Sequence, residues 1–313
     1  MASKEEYKKY VKDLVGEDNK GHEVKYLTKS YKNMSSLLVT LGVISFSSTI
    51  FFFMCGAGNV GIFSILIGVF LIIFGAGRTI NTNNASRYYK KNYRAQILDY
   101  LLKGYEYSFS PENKISRTIF KESQFCGYFE DYEGSDKLTI NIPNDDGSKS
   151  GCYLNLCDLN ATKTVEDSDG DTRTVTVYKG AFGYVEFPFE FKCILCIDSD
   201  YKMTGKKLKG VTLEDIVFNK KFVVISDDQI ESRYILTPTM MEKLLFVEGR
   251  FHGMKLTLVE NRMYIGFSHR DLFELSGIEG TDIENAFDAF YDEIDTILKI
   301  VEEIKNNNKI FKM

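Results

Sequence analysis

The chain has 313 residues, 39 Lys and Arg against 44 Asp and Glu, and a formal net charge of −5. That length is a soft prior for one or two domains, and no nucleic-acid partner is expected. Six cysteines without framework spacing, in a chain large enough to build a core, argue against a secreted disulfide scaffold and for free thiols in a reducing compartment.

The first thirty residues carry many charges, including Lys8, Lys9 and Lys12, and no apolar stretch, so no signal peptide is expected. Ser3-Lys4-Glu5-Glu6 is a capping-box pattern. Tyr7, Tyr10, Val11 and Leu14 follow at helical spacing. This predicts a short amphipathic helix that packs on a soluble domain or lies on a membrane surface.

From Asn33 to Gly77 there is no Asp, Glu, Lys, Arg or His. Two apolar runs, Leu37 to Cys55 and Val60 to Ala76, are separated by Gly56-Ala57-Gly58-Asn59, residue types that tolerate a tight turn. At 1.5 Å rise per residue the first run reaches roughly 28 Å, close to the ~30 Å hydrocarbon core of a bilayer. A transmembrane hairpin of two helices is expected, with the lipid bilayer as partner. The turn is uncharged, whereas Lys20, Lys25, Lys29 and Lys32 precede the first run and Arg78, Arg87, Lys90, Lys91 and Arg94 follow the second. The positive-inside rule then puts both termini in the cytoplasm of a cell-membrane protein with two spans. Gly56, Gly58 and Gly61 form a literal G-x-G-x-x-G, but between two spans it has no strand before it and no phosphate to meet. Ser45, Ser47, Ser48 and Thr49 suit helix–helix contact and local hydrogen bonding.

Residues 85–104 predict another helix, with Tyr89, Tyr93, Ile97 and Leu101 on one stripe and Gly104 as its stop signal. Arg87, Lys90, Lys91 and Arg94 cluster at its membrane-proximal end. They are topology signals on a solvated face, or contacts to anionic lipids at about 1 kcal/mol each. Headgroup contact requires the helix to lie along the interface, and a bend at Asn81-Thr82-Asn83-Asn84, a run of weak helix formers, is expected to allow it.

Ser110-Pro111-Glu112 then reads as an N-cap and first turn of a helix reaching about Lys121. From residue 138 the pattern becomes β-branched and aromatic runs separated by turn residues. The acidic segment Glu166 to Asp171 reads as a hairpin tip. Thr237-Pro238 opens a helix. Thr281-Asp282-Ile283-Glu284 caps a long terminal one, whose stripe includes Ile283, Phe287, Phe290, Ile294, Ile297, Leu298, Val301 and Ile304. The expected fold class is α+β. Residues 1–34 form a cytoplasmic amphipathic tail, 35–77 the hairpin and 78–125 a juxtamembrane helical region. Residues 126–313 form a mainly antiparallel sheet domain with packed helices and a long C-terminal helix.

Chemistry is harder to find. Cys193-Ile-Leu-Cys196 is a C-x-x-C, but it lies in a strand-like run, where residues three apart face opposite sides. His22, His252 and His269 belong to no recognised catalytic motif. No catalytic, cofactor-binding or metal-ligating residue is expected, and no cofactor.

Four blocks carry a family resemblance. They are Val177-Tyr178-Lys179-Gly180-Ala181-Phe182; Phe218-Asn219-Lys220-Lys221-Phe222; Ile235-Leu236-Thr237-Pro238 with Met241-Glu242; and Met263-Tyr264-Ile265 followed by Asp271-Leu272-Phe273-Glu274. Over roughly residues 115–275 the chain resembles an uncharacterised bacterial family of two-span membrane proteins, a domain of unknown function whose members are sometimes mislabelled galanin. Tyr178 and Ala181 depart from its first block, where Phe and Leu are expected. The resemblance implies structural roles: Gly at a turn, Thr-Pro at a helix start, aromatics in a core. The expected function is a membrane-anchored cytoplasmic interaction or regulatory domain without its own catalysis, which meets an unidentified protein partner. The alternative is an enzyme acting on a membrane-associated substrate.

Overall fold

A computed structural model describes residues 1–17, 29–54, 58–92, 94–143, 152–166, 169–199, 208–268, 271–273, 283–307 and 311. The chain divides into two compact units. One comprises Ala2–Leu101 and Glu274–Ala289; the other comprises Met1, Leu102–Phe273 and Phe290–Met313. The second unit thus takes in residues 102–125, which the sequence pattern groups with the membrane flank.

The first unit contains α1 (Lys4–Glu17), α2 (Lys29–Met54), α3 (Gly58–Asn92) and α4 (Arg94–Leu101). The capping box at its start is formed: the backbone N–H of Glu6 donates to Ser3 Oγ and that of Ser3 to Glu6 Oε2, each at 3.3 Å. Tyr7 and Val11 are buried, and Tyr10 stacks on Tyr100 of α4 with ring centroids 4.1 Å apart. The apolar stripe of α1 is therefore turned toward α4.

The expected bend at Asn81–Asn84 is absent, and α3 runs unbroken through it. Asn and Thr each cost only a few tenths of a kcal/mol in a helix. No Gly or Pro lies between Arg78 and Asn92 to break the hydrogen-bond ladder. The 35 residues of α3 make a rod of about 52 Å.

Among the described residues the second unit is built on one sheet of nine strands, all paired antiparallel. They are β1 (Glu106–Ser110), β2 (Asp131–Ile142), β3 (Cys152–Glu166), β4 (Thr172–Glu186), β5 (Leu195–Asp198), β6 (Lys209–Gly210), β7 (Val223–Ser226), β8 (Met254–Val259) and β9 (Arg262–Ser268). Their spatial order is β1-β2-β3-β4-β9-β8-β5-β7-β6. The β3–β4 hairpin closes at the pair Glu166 and Thr172, around the acidic tip.

Two expectations fail here. Ser110 ends strand β1, opposite Lys137, instead of capping a helix. Glu106 to Ser110 alternates polar and aromatic residues, a strand pattern, and Pro111 falls in the turn that follows. The helix, α5 (Arg117–Glu122), starts later, and Ser116 caps it by accepting from the Ile119 N–H. Gly180 also lies inside β4 with φ +144°, a backbone conformation that suits glycine, and not at a turn.

Four further helices are α6 (Ile216–Lys221), α7 (Glu231–Ile235), α8 (Pro238–Phe251) and α9 (Ile283–Asn306). Thr237 caps α8, its side chain accepting from the Met240 N–H at 3.2 Å, with Pro238 in the first turn. Thr281 and Asp282 of the expected capping box of α9 lie outside the described residues. On α9, Ile294, Ile297, Leu298, Val301 and Ile304 are buried.

One sheet face carries an aromatic core. Phe120 of α5 meets Phe129, Tyr178 and Phe182 edge-on at 4.9–5.6 Å, and Cys157, Leu159 and Tyr264 belong to the same cluster. Gly266 in β9 is what lets Phe125 lie on the sheet, since a Cβ there would sit 2.6 Å from its ring. Side chains alternate along a strand, so Phe267 points to the other face, where it stacks on Phe251 of α8 at 4.3 Å. Salt bridges Arg250–Asp292 and Lys243–Glu303 tie α8 to α9.

Candidate functional site

The most unusual surface lies on the α2–α3 pair, which is polar inside and apolar outside. The two helices are antiparallel, with Gly42 opposite Gly68 and Ser45 opposite Ser64. A Cβ on Gly68 would sit 2.9 Å from the Gly42 carbonyl oxygen and 3.0 Å from the Phe46 nitrogen, so the backbones themselves are in contact. Ser64 Oγ donates to the Ser45 carbonyl at 2.6 Å, and Ser45 Oγ donates back to the Ser64 carbonyl at 3.0 Å. Ser48 Oγ lies 3.0 Å from Ser64 Oγ. Among the described side chains of α3 the buried positions are Gly61, Ser64, Gly68 and Gly75, three, four and seven residues apart and so on one face.

The opposite faces are apolar and open. Phe63, Leu66, Phe70 and Ile73 are each more than 60% exposed. Val43, Ile44 and Phe46 of α2 are likewise exposed. Leaving one such side chain in water forgoes about 1.5–3 kcal/mol of transfer free energy. Two hydroxyls bond within α2, Thr40 donating to the Ser36 carbonyl and Ser47 to that of Val43. Ser45 and Ser48 thus make the expected helix–helix contact, whereas Ser47 bonds locally. The side chain of Thr49 lies outside the described residues.

Where two spans were expected, one stretch among the described residues, Asn59–Gly77, is long and apolar enough to cross a membrane. The described apolar stretch of α2, Ser36–Ser48, is shorter.

Of the four basic residues of the candidate lipid contact, the side chains of Arg87, Lys90 and Lys91 lie outside the described residues. Arg94 opens α4 and is only 2% exposed, so its guanidinium is not offered to lipid. Arg87, Lys90 and Lys91 belong to the last turns of α3. Along an unbroken helix they stand about 15–21 Å beyond Gly77, against a Debye length of about 8 Å at physiological salt.

Several described cysteines and ionisable groups of the sheet unit sit within its packing. Cys193 and Cys196 are both buried, and burial pushes each thiol up to about 11. The side chain of Ser226 contacts the first and that of Thr257 the second, so the pair does not converge on one site. Burial likewise raises Cys126 to about 11 and Cys157 to about 12. Among the described residues no group of three or more His, Cys, Asp and Glu is placed to hold a metal ion. His252 follows the end of α8 at φ +56°, largely exposed, and His22 and His269 lie outside the described residues.

Four buried ionisable groups hold the strands and their connections. Asp158 accepts from the backbone N–H groups of Leu272 (2.7 Å) and Phe273 (3.0 Å). Burial, then the charge of Asp271, pushes its carboxyl up to about 8, while those two donors pull the other way. Lys255 of β8 donates to Asp198 of β5 at 2.7 Å. Glu248 of α8 accepts from the Met254 N–H at 2.8 Å and from Lys221 at 3.2 Å. Two surface clefts, of about 460 and 640 Å³, flank the end of α9. The smaller is bridged by Tyr105 donating to Glu302 at 3.1 Å and by Lys305 donating to the Pro143 carbonyl.

Among known proteins, the family model described as "Protein of unknown function (DUF3137)" matches residues 176–306. That range contains all four sequence blocks that carry the resemblance. No curated protein matches the chain. A solved structure, the mycobacterial trehalose monomycolate transport factor A (TtfA), is similar at 8% identity and a TM-score of 0.35. It covers 65% of this chain and 91% of its own. A superposition that loose transfers neither fold nor function.

Proposed function

We propose that the chain is an integral membrane protein in which α2 and α3 form a two-span hairpin and the sheet unit acts in the cytoplasm as a non-catalytic interaction domain. The observation that carries this reading is the inside-out hairpin. A helix of a soluble core buries its large apolar side chains; α3 exposes them and buries Gly61, Ser64, Gly68 and Gly75. In lipid the hydrophobic effect between helices vanishes, and association rests on close backbone packing and interhelical hydrogen bonds. Gly42 against Gly68, and Ser45 against Ser64, supply both. The 26 residues of α2 make about 39 Å of helix antiparallel to the candidate span, which is length enough to cross beside it. Lysines before the hairpin and Arg78, Arg87, Lys90 and Lys91 after it act as cytoplasmic retention signals. In this reading the distal three owe nothing to headgroup binding. The interaction role is supported by the thiols and buried charges of the sheet unit, each held by burial or by backbone and ion-pair contacts.

Alkaline carbonate extraction of native membranes tests the anchoring. The full chain is expected to stay in the pellet and to leave it only with detergent. Release into the carbonate supernatant refutes an integral hairpin.

A further inference from the structure

Cations of α8 and α9 are held in ion pairs, as in Arg250–Asp292 and Lys299–Asp295. Three cations on α5 and the turn before it are held differently. Lys114, Arg117 and Lys121 are exposed, and among the described residues none of them forms an ion pair. Each lies over an aromatic ring instead. The Lys114 ammonium is 5.3 Å from the centre of the Tyr132 ring, and the Arg117 guanidinium and Lys121 ammonium are 4.8 and 5.6 Å from that of Phe129. The two rings are 5.7 Å apart, so the three charges gather over one aromatic pair. Lys114 also donates to the Tyr132 carbonyl and Arg117 to the Phe129 carbonyl, each at 2.8 Å. The carboxylates close by in sequence are turned elsewhere. Glu122 accepts from Arg262 at 2.5 Å, and Glu130 from the Thr164 N–H at 2.9 Å. Asp131 and Glu133 alternate with Tyr132 along β2 and so belong to the opposite face of the sheet. Glu112, in the turn after β1, forms an ion pair with none of the three.

We propose that Lys114, Arg117 and Lys121 dock an acidic protein segment, an extended run rich in Asp or Glu. This specifies the partner of the interaction domain proposed above and rests on that reading. Charge complementarity selects the occupant. Arg117 spends one N–H group on the Phe129 carbonyl, and the Lys121 ammonium makes no hydrogen bond within the protein, so donors remain for carboxylates. The rings and carbonyls already order these long side chains, which lowers the entropy lost when an anion fixes them. An extended chain places same-side residues about 7 Å apart, close to the 5.7 Å between the two rings. A narrow segment suits the patch better than a bilayer of acidic headgroups. The chain carries a net charge of −5, and Glu122 and Glu130 flank the patch in sequence, so a wide anionic surface also meets repulsion.

The test uses the full chain in detergent and a fluorescent poly-Glu peptide, read by anisotropy. Binding is expected, weakening as salt screens it. The combined change Lys114→Gln, Arg117→Gln and Lys121→Gln is expected to weaken it about tenfold. Arg173→Gln, Lys179→Gln and Lys209→Gln remove the same charge from exposed positions of β4 and β6 and are expected to leave affinity nearly unchanged. Lys121→Glu alone is expected to weaken binding without altering thermal unfolding. No binding to the wild type, equal losses from the two triple variants, or unchanged affinity in a folded Lys121→Glu protein overturns the proposal. In nanodiscs, a fluorophore on Thr118→Cys, at an exposed position of α5, is expected to read the same in neutral and anionic lipid. A response to anionic lipid that the Gln variant at Lys114, Arg117 and Lys121 lacks assigns the patch to headgroups and also overturns it. The peptide readout does not depend on the anchor, so its failure leaves the carbonate result standing.

Discussion

Gly68→Leu is expected to separate the two helices of the hairpin. A Cβ at this position meets backbone atoms of the facing helix, Gly42 O at 2.9 Å and Phe46 N at 3.0 Å, and backbone cannot turn aside as a side chain does. Three further heavy atoms beyond that Cβ make the overlap worse, so the cost is expected at about 3 kcal/mol or more, the upper part of the overpacking range. The pair Ser45→Cys and Ser64→Cys reports the separation, because the two hydroxyl oxygens lie 3.4 Å apart. With Gly68 in place, mild oxidation of membranes is expected to join the two cysteines; with Gly68→Leu the crosslink is lost. Gly77→Leu serves as the control, since no atom lies within 4 Å of a Cβ there, and crosslinking is expected to be unchanged. Persistent crosslinking in Gly68→Leu contradicts the close seam.

The second large effect is expected in the middle of the sheet. Asp198 and Lys255 are direct cross-strand partners, 1% and 4% exposed at their side chains. Their attraction offsets the cost of removing both charges from water, so removing one partner strands the other. Lys255→Met is expected to destabilise the sheet unit by about 3–5 kcal/mol, which lowers its apparent Tm by about 10 °C or more. The double change Asp198→Leu with Lys255→Met removes both charges and is expected to return most of that loss. Thermal unfolding of the three proteins in one detergent measures the difference. A double variant no more stable than Lys255→Met alone shows that the pair does not behave as one buried unit.

The features legible in the sequence were those that local chemistry decides. Ser3 and Thr237 announce helix starts because their hydroxyls satisfy backbone donors within three residues. The stripe of α9 is legible because burial imposes a helical period on it, and the runs of β3 and β4 because β-branched and aromatic residues are bounded by turn residues. The stretch from Asn33 to Gly77 is legible for another reason, the lack of any charged residue, and Asn59–Gly77 within it is long and apolar enough to cross a membrane. What local chemistry leaves open is which of two satisfactory states the rest of the chain selects. Glu106 to Ser110 becomes a strand because β2 offers it a ladder of partners, and Ser110-Pro111 then turns instead of capping. Asn81 to Asn84 stays helical because α3 already exists on both sides and propagation costs little.

The candidate site divides in the same way. Ser45 and Ser48 stand out in an apolar run, but Gly42, Ser64 and Gly68 gain meaning only once the two helices face each other. Arg94 reads as one of four surface cations in sequence, yet it is buried at the start of α4. Phe311 packs its ring 5.2–5.8 Å from those of Phe187, Phe189 and Phe191, a contact across 120 residues or more that spacing does not reveal.

Cys55 allows the central claim to be measured directly, because the sequence places it at the end of the first apolar run, beside the hairpin turn. A membrane-impermeant maleimide applied to intact cells is expected to label Cys55 from outside. In a Cys55→Ser background, Tyr128→Cys at a well-exposed position of the sheet unit is expected to react only after the cells are permeabilised. Labelling of Tyr128→Cys in intact cells, or of Cys55 only after permeabilisation, contradicts a two-span hairpin holding the sheet unit in the cytoplasm.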